Sequence, residues 1–401
     1  MNILFLTLVK INTLQERGIY HDLMREFSDH NHHVYIVSPI ERRENQKTDV
    51  KVEGNVTFLN VKTLNIQKTN FIEKGISTLT IEKLFLHAVK KYFSKVKFDL
   101  VVYSTPPITF TGVIKYIKRR DNAKTYLLLK DIFPQNAVDM KMLSKKGILY
   151  NYFRTKEKDL YTISDKIGCM SEANVKFVLD HNAYLSKEKL EINPNSIKLQ
   201  PSADISEVEK KRIREKYQIP DQKKVFIYGG NLGKPQGVDF LIETLQAKSS
   251  DSNVFFVIAG SGTEYDKLKN WFDNFKPKNA LLFSAIPKTD YDLLVQSCDI
   301  GLIFLHKDFT IPNYPSRLLS YLEFKMPVLA ATDPNTDIGD DIVRNNCGMA
   351  VYSDDLKAMI NAIDNFRDMD DAQFEIFRQN SFNFLKKEFQ VNHSYSKIIN
   401  A

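Results

Sequence analysis

The chain has 401 residues, 43% hydrophobic and 26% charged, which allows two or three packed domains and excludes a disordered or fibrous protein. Its three cysteines, Cys169, Cys298 and Cys347, lie far apart, which excludes a disulfide framework and a thiolate metal cluster and fits a reducing compartment. The net charge of +7 is uneven: residues 1–200 carry 32 Lys+Arg against 21 Asp+Glu, while the remainder is acidic, so an anionic partner is expected for the first half, with nucleic acid or an anionic membrane surface as candidates.

In chain order, NILFLTLV opens as a buried strand. It lacks the basic flank and small-residue cleavage site of a signal peptide, and no later window has the roughly 18 to 20 apolar residues of a membrane span, so a cytoplasmic protein is expected. A loop with Glu16, Arg17 and Gly18 leads into the helix GIYHDLMREFSDH, and HHVYIVSP reads as the second strand. His30, His32 and His33 read as the polar turn before that strand, with a metal cluster the weaker alternative. From Ile76 to Phe93, apolar residues at Leu79, Ile81, Leu84, Phe85, Ala88, Val89, Tyr92 and Phe93 form a helical stripe flanked by Lys90, Lys91, Lys95 and Lys97. That segment is either a core helix with a solvated basic face or a helix that meets anionic lipid. FDLVVYS and KTYLLLKD follow as strands. Ser104-Thr105-Pro106-Pro107 makes a rigid turn after the first of them, and Lys130 and Asp131 close the second. Asp131 is read as a general base, an acceptor-orienting group, or the N-cap of the next helix.

The stretch 192–224, with three prolines and many charges, reads as the boundary between domains. Beyond it strands and helices alternate again through VFIYGG, NVFFVIAGSG, ALLFSAIP, DIGLIFL and MPVLAATD. This is the pattern of α/β architecture with mainly parallel sheets. The expected fold is two Rossmann-like domains facing each other across a cleft lined by strand C-termini. The N-terminal domain spans 1–198, with a C-terminal helix from about 385 to 401 expected to pack back on it, and the second domain spans 199–384. YGGNLGKPQG begins the second domain. It matches neither G-x-x-x-x-G-K-[ST] nor G-x-G-x-x-G. Glycines before a helix N-terminus still suit an anion, and a plain tight turn is the alternative.

Taken together, QERGIYHDLMREF, VVYSTPPITF, LLLKDIFPQNAVDM, INPNSI, YGGNLGKPQGVDFLIETL, FVIAGSGTE and PSRLLSYLEFKMPVLAATD resemble, in order and spacing, the GT4-type glycosyltransferases of GT-B fold. The resemblance is to bacterial enzymes of capsule and O-antigen assembly, N-acetylfucosamine transferases among them. It implies a nucleotide-sugar-binding C-terminal domain and an acceptor-binding N-terminal domain. It places Gly230, Asn231, Lys234 and the helix opening at Ser316, Arg317 and Leu318 around the donor diphosphate, with Gly18 at the equivalent N-terminal loop. It implies no cofactor and no metal, since positive groups stand at the leaving group. Asp340-Asp341 and Asp370-Asp371 are adjacent pairs, read as surface or cap residues.

The family often carries two glutamates eight residues apart before a G-x-P-V-like segment. Here that register holds Pro312 and Ser320. Ser320 or Glu323 is then left to meet the ribose, and the retaining mechanism stands beside an inverting one with Asp131 or Glu16 as base. Lys130 stands where relatives often have histidine, and Arg317 where they have lysine. The implied reaction moves a sugar, N-acetylfucosamine or a similar N-acetyl-6-deoxyhexosamine, from a UDP-sugar to a polyprenyl-diphosphate-linked acceptor at the inner membrane face. Rival readings are a transferase with a soluble acceptor, a sugar-phosphate synthase, a glycogen-like polymer synthase and a basic nucleic-acid-binding α/β protein. The last lacks interleaved aromatic and arginine residues, so no nucleic-acid partner is expected.

Overall fold

The computed structural model describes residues 1–66, 71–199 and 205–401; residues 200–204 of the expected domain boundary lie outside them. Two units separate, Met1–Lys198 with Gln390–Ala401, and Leu199–Phe389.

In unit 1 the elements run β1 (Asn2–Leu6), α1 (Ile19–Asp29), β2 (His33–Glu41), β3 (Asp49–Glu53), β4 (Val56–Thr63), α2 (Phe71–Tyr92), β5 (Leu100–Ser104), α3 (Thr111–Asp121), β6 (Lys124–Leu129), α4 (Gln135–Asp139), α5 (Ile148–Ile163), β7 (Lys166–Cys169), α6 (Glu172–His181) and β8 (Leu190–Ile192). The strands form one sheet in the order β3-β4-β2-β1-β5-β6-β7-β8. It is parallel except for the edge hairpin of β3 and β4. Central strands such as LVVYS of β5 are buried along their whole length, as strands covered by helices on both faces must be. Tyr126 OH ties β6 to Glu191 and accepts from Asn193 at 2.9 Å.

Unit 2 continues with α7 (Glu207–Lys216), β9 (Lys224–Asn231), α8 (Val238–Ala247), β10 (Val254–Ser261), α9 (Tyr265–Phe275), β11 (Ala280–Phe283), α10 (Lys288–Ser297), β12 (Ile300–Phe304), α11 (Arg317–Glu323), β13 (Val328–Thr332), α12 (Ile338–Arg344), β14 (Gly348–Tyr352), α13 (Leu356–Asp368) and α14 (Asp371–Glu388). Its six-stranded parallel sheet has the order β11-β10-β9-β12-β13-β14. The core gathers Phe226, Tyr228, Phe256, Leu302 and Phe366.

The chain returns to unit 1 at Gln390, five residues later than the expected 385, because Phe384, Leu385 and Phe389 are buried in unit 2. Its last helix, α15 (Val391–Ile399), buries Val391 and Ile398 in the first core. Two of the three clustered histidines serve this docking. His30 stacks on Tyr395 at 4.2 Å, and His32 Nε2 lies 3.0 Å from the Tyr395 hydroxyl. In α2 the stripe divides: Ile81, Phe85, Ala88, Val89 and Phe93 are core, while Leu79, Leu84 and Tyr92 are exposed. No helix among the described residues is long and apolar enough to cross a membrane.

Candidate active site

The sequence Tyr228-Gly229-Gly230-Asn231 ends β9 at the carboxyl edge of the second sheet, where open α/β sheets bind ligands. Each small residue there has a steric reason. A side chain on Gly229 would come within 1.8 Å of the Tyr291 hydroxyl. One on Gly260 would meet Gly230 O at 1.9 Å, so the end of β10 lies flush against the turn. Gly230 has φ +125°, a conformation that strains any residue with a Cβ. Gly301 leaves room for the Tyr321 ring, whose hydroxyl accepts the Gly229 N–H at 3.2 Å and thereby holds the turn to α11.

Beside this turn lies a concavity of about 340 Å³. Its walls are Gly229, Gly230 and Asn231 from β9, Gln236, Tyr291 of α10, Asn313 and Pro315 before α11, and Ser316, Arg317 and Ser320 at the start of α11. Gln236 Oε1 accepts from Asn231 Nδ2 at 3.0 Å and from the Gly233 N–H at 3.2 Å, which fixes the loop. Arg317 dominates the charge. Its guanidinium sits 4.2 Å over the Tyr228 ring, and Nη2 reaches Asn231 O at 3.5 Å. Nη1 is buried with no hydrogen-bond partner among the described residues. A buried charged donor left unsatisfied is costly, and an anionic oxygen in the concavity relieves that cost.

Five of the expected donor residues, Gly230, Asn231, Ser316, Arg317 and Ser320, therefore converge on one concavity. The others do not line it. Lys234 is exposed on the 3₁₀ turn Lys234–Gln236 and is not part of the wall, although Gln236 of the same turn is. Leu318 is buried in the core, and its amide already donates to Pro315 O at 3.2 Å, so it offers no free N–H. Glu323 is buried in the last turn of α11, one turn past Ser320, and is not among the residues of the wall. Gly18 belongs to unit 1, where it caps α1.

At the carboxyl edge of the first sheet, Thr105 organises a second turn. Its hydroxyl accepts the N–H groups of Lys130 and Asp131 at 3.0 and 3.1 Å, so the Thr-Pro-Pro loop after β5 shapes the end of β6. Both oxygens of Asp131 accept from Asn136 Nδ2, at 2.9 and 2.8 Å. The capping alternative fails: α4 starts after Pro134 with no side-chain cap. Burial raises the Asp131 pKa above the ordinary carboxylate value, partly offset by the Asn136 bond. Lys130 Nζ donates to Asn193 O at 3.0 Å, and burial lowers its pKa to about 7. Glu16 is exposed in the β1–α1 loop, and its carbonyl accepts from Arg25 at 2.7 Å.

Among the described residues no group of three or more His, Cys, Asp or Glu is arranged to hold a metal ion. Asp370 caps α14 through the Gln373 N–H, and Asp341 accepts from Tyr314 OH at 3.1 Å. Lys90 lies 4.8 Å over the Tyr116 ring and Lys91 5.1 Å over Tyr92. Lys95 and Lys97 are exposed between α2 and the start of β5.

Sequence reading missed Tyr291, Tyr321, Gln236 and Asn313. Gln236 lies inside the stretch YGGNLGKPQG and Asn313 two residues before Pro315, so both stand beside residues the sequence singles out. Tyr291 comes from α10, which carries no motif, whereas Tyr321 lies in α11 inside the stretch PSRLLSYLEFKMPVLAATD, and the packing around Gly229 and Gly301 reveals the part each plays.

Residues 209–381 match the family model described as glycosyl transferases group 1. The chain is 23% identical over 307 residues to the glycosyltransferase WbjE of Pseudomonas aeruginosa, covering 76% of this chain and 74% of the relative. It is 21% identical over 284 residues to the colanic acid biosynthesis glycosyl transferase WcaI of Escherichia coli K12, covering 67% of each. Among solved structures, an E. coli trehalose-6-phosphate structure bound with UDP-2-fluoro glucose superposes with a TM-score of 0.76 at 10% identity, covering 99% of this chain and 98% of that one.

Proposed function

We propose that this chain, a glycosyltransferase of GT-B fold, transfers an N-acetyl-6-deoxyhexosamine such as N-acetylfucosamine from its UDP form to a polyprenyl-diphosphate-linked acceptor. The setting is bacterial surface polysaccharide synthesis at the cytoplasmic face of the membrane. The observation that carries the donor half is the unpartnered Arg317 Nη1 in the wall of a concavity built on the β9 glycine turn. That unit holds the stretch that matches group 1 glycosyl transferases. The polysaccharide setting is supported by the relatives, one of them named for colanic acid biosynthesis. The sugar is supported by the motif resemblance, and the lipid carrier by the excess of Lys and Arg in residues 1–200.

In this reading Arg317, Ser316 and the Gly230 backbone hold the diphosphate, and Ser320 meets the ribose. The bond from the anomeric carbon to the UDP oxygen breaks, and the acceptor hydroxyl oxygen bonds to that carbon. Arg317 stabilises the charge left on the diphosphate, the task a metal performs in other transferases. The hydroxyl proton goes to Asp131, which burial makes more basic than an ordinary carboxylate. Asn136 fixes the direction of that carboxylate. Titration of the full chain with UDP, GDP and ADP in EDTA tests the donor assignment. Saturable binding that favours UDP is expected. Equal binding of the three, or binding that needs added metal, contradicts it.

A further inference from the structure

Between Asp139 and Glu157 the chain has no acidic residue and five cations: Lys141, Lys145, Lys146, Arg154 and Lys156. Arg154 and Lys156 are engaged, with Glu157 and Glu82. Lys141, Lys145 and Lys146 are exposed and have no ion pair among the described residues. In the same short stretch four large apolar side chains face solvent: Ile148 is 88% exposed, Leu149 and Met142 56%, and Tyr152 38%.

Neither feature serves the fold. α5 buries Glu157, Leu160 and Tyr161 in its second half, whereas Ile148, Leu149 and Tyr152 form a stripe on its first turns that stays open to solvent. Lys145 and Lys146 stand just before the helix N-terminus, where positive charge opposes the helix dipole. Exposed apolar side chains ringed by unpaired lysines fit a surface with anionic headgroups above acyl chains.

Position selects the same partner. α5 begins at the carboxyl edge of the first sheet, reached from β6 through the short helix α4. Phe133, two residues from Asp131, packs edge-on against Phe153 of α5 with ring centres 5.0 Å apart. The exposed turn is thus fixed to the segment that holds the candidate base. Lys90, Lys91, Lys95 and Lys97 instead precede the start of β5, at the opposite edge of the sheet, where the Lys97 carbonyl accepts from Asn2 Nδ2 at 2.8 Å. A bilayer contacted there lies on the far side of the sheet from Asp131.

We infer that the segment 141–152 is the membrane-docking surface of this protein: Met142, Ile148, Leu149 and Tyr152 enter the interface of an anionic bilayer, and Lys141, Lys145 and Lys146 meet its headgroups. This rests on the lipid-linked acceptor proposed above and names the contact that brings it to Asp131.

Flotation of the full chain with vesicles of phosphatidylglycerol and phosphatidylcholine, against phosphatidylcholine alone, tests both levels. The wild type is expected to float with the anionic vesicles and to lose binding as salt rises. Combined Lys141→Ala, Lys145→Ala and Lys146→Ala should weaken partitioning on the order of a hundredfold, from the per-lysine attraction to an anionic surface. Ile148→Ser with Leu149→Ser should weaken it at every salt concentration, and the four-alanine variant at Lys90, Lys91, Lys95 and Lys97 should bind nearly as well as the wild type. UDP affinity, unchanged in all three, reports that the variants are folded. Wild type that floats together with both 141–149 variants overturns the assignment of the surface and leaves the lipid-acceptor reading standing. Wild type that floats with neither vesicle overturns both. A wild-type dimer that Ile148→Ser with Leu149→Ser makes monomeric assigns the face to a second copy and overturns the lipid contact.

Discussion

Replacing Arg317 with glutamine separates the two things this side chain does. In the protein alone it makes a cation–π contact with Tyr228 at 4.2 Å and one hydrogen bond to Asn231 O at the 3.5 Å limit. Those contribute about 1 kcal/mol. The buried, unsatisfied Nη1 offsets part of that gain, so the variant should be nearly as stable as the wild type. With a diphosphate in the concavity the arithmetic changes. A hydrogen bond to a charged group contributes about 1.5–3 kcal/mol, which is roughly 10–150-fold in Kd. Isothermal titration of the full chain should therefore show UDP binding weakened by at least tenfold, while uridine, which has no phosphate, binds almost as before. Arg317→Lys should recover part of the loss, because it restores charge without the planar fork. Equal UDP affinity in wild type and Arg317→Gln, or an equal loss for UDP and uridine, would refute the role given to this residue.

Gly230→Val should abolish UDP binding, since φ +125° is closed to a branched residue, whereas Lys234→Ala, outside the wall, should change the Kd less than twofold by the same titration. Asp131→Asn should lower kcat about a hundredfold or more with UDP affinity intact; near-normal turnover in both Asp131→Asn and Glu16→Gln removes the side-chain base and leaves the departing phosphate to take the proton. The acid limb of the wild-type rate profile should lie above the ordinary Asp range, because burial raises the pKa and the base is lost as pH falls through it. Lys130, with its pKa lowered to about 7, is mostly neutral when folded and charged when unfolded between that value and its ordinary one, so the unfolded chain binds the extra proton there. Stability should then rise with pH across that window by roughly 1 kcal/mol per pH unit relative to Lys130→Met; a constant difference in denaturant midpoint at pH 7.5 and 9.5 contradicts this.

The sheets were legible because their central strands are buried on both faces and read as unbroken apolar runs: NILFL, LVVYS and VLAAT each became a strand. Short or half-exposed strands escaped. β3 has only polar or exposed positions, and β7 and β8 have four and three residues. In the site, the turn Gly229-Gly230-Asn231 announced itself by composition, since glycine is what a close backbone approach requires. Lys234 shows the limit of that inference. It shares the loop and the 3₁₀ turn with Gln236, yet only Gln236 lines the wall and Lys234 is exposed. Leu318 shows another limit, for an amide at a helix start looks free in a sequence until a preceding carbonyl, here that of Pro315, is found to accept it. Tyr291 is the converse case, a residue whose part in the wall comes from the missing side chain at Gly229.

The most direct test of the central claim is the mass of the product. The full chain would be incubated in EDTA with a panel of UDP-sugars and polyprenyl-diphosphate-linked monosaccharides, and the lipid fraction read by mass spectrometry. The account predicts that the acceptor gains one N-acetyl-6-deoxyhexosamine residue as UDP is released, and that Arg317→Gln gives little of the same product. Lipid acceptors left unchanged by every UDP-sugar, with transfer to a soluble sugar or sugar phosphate in their place, would contradict it.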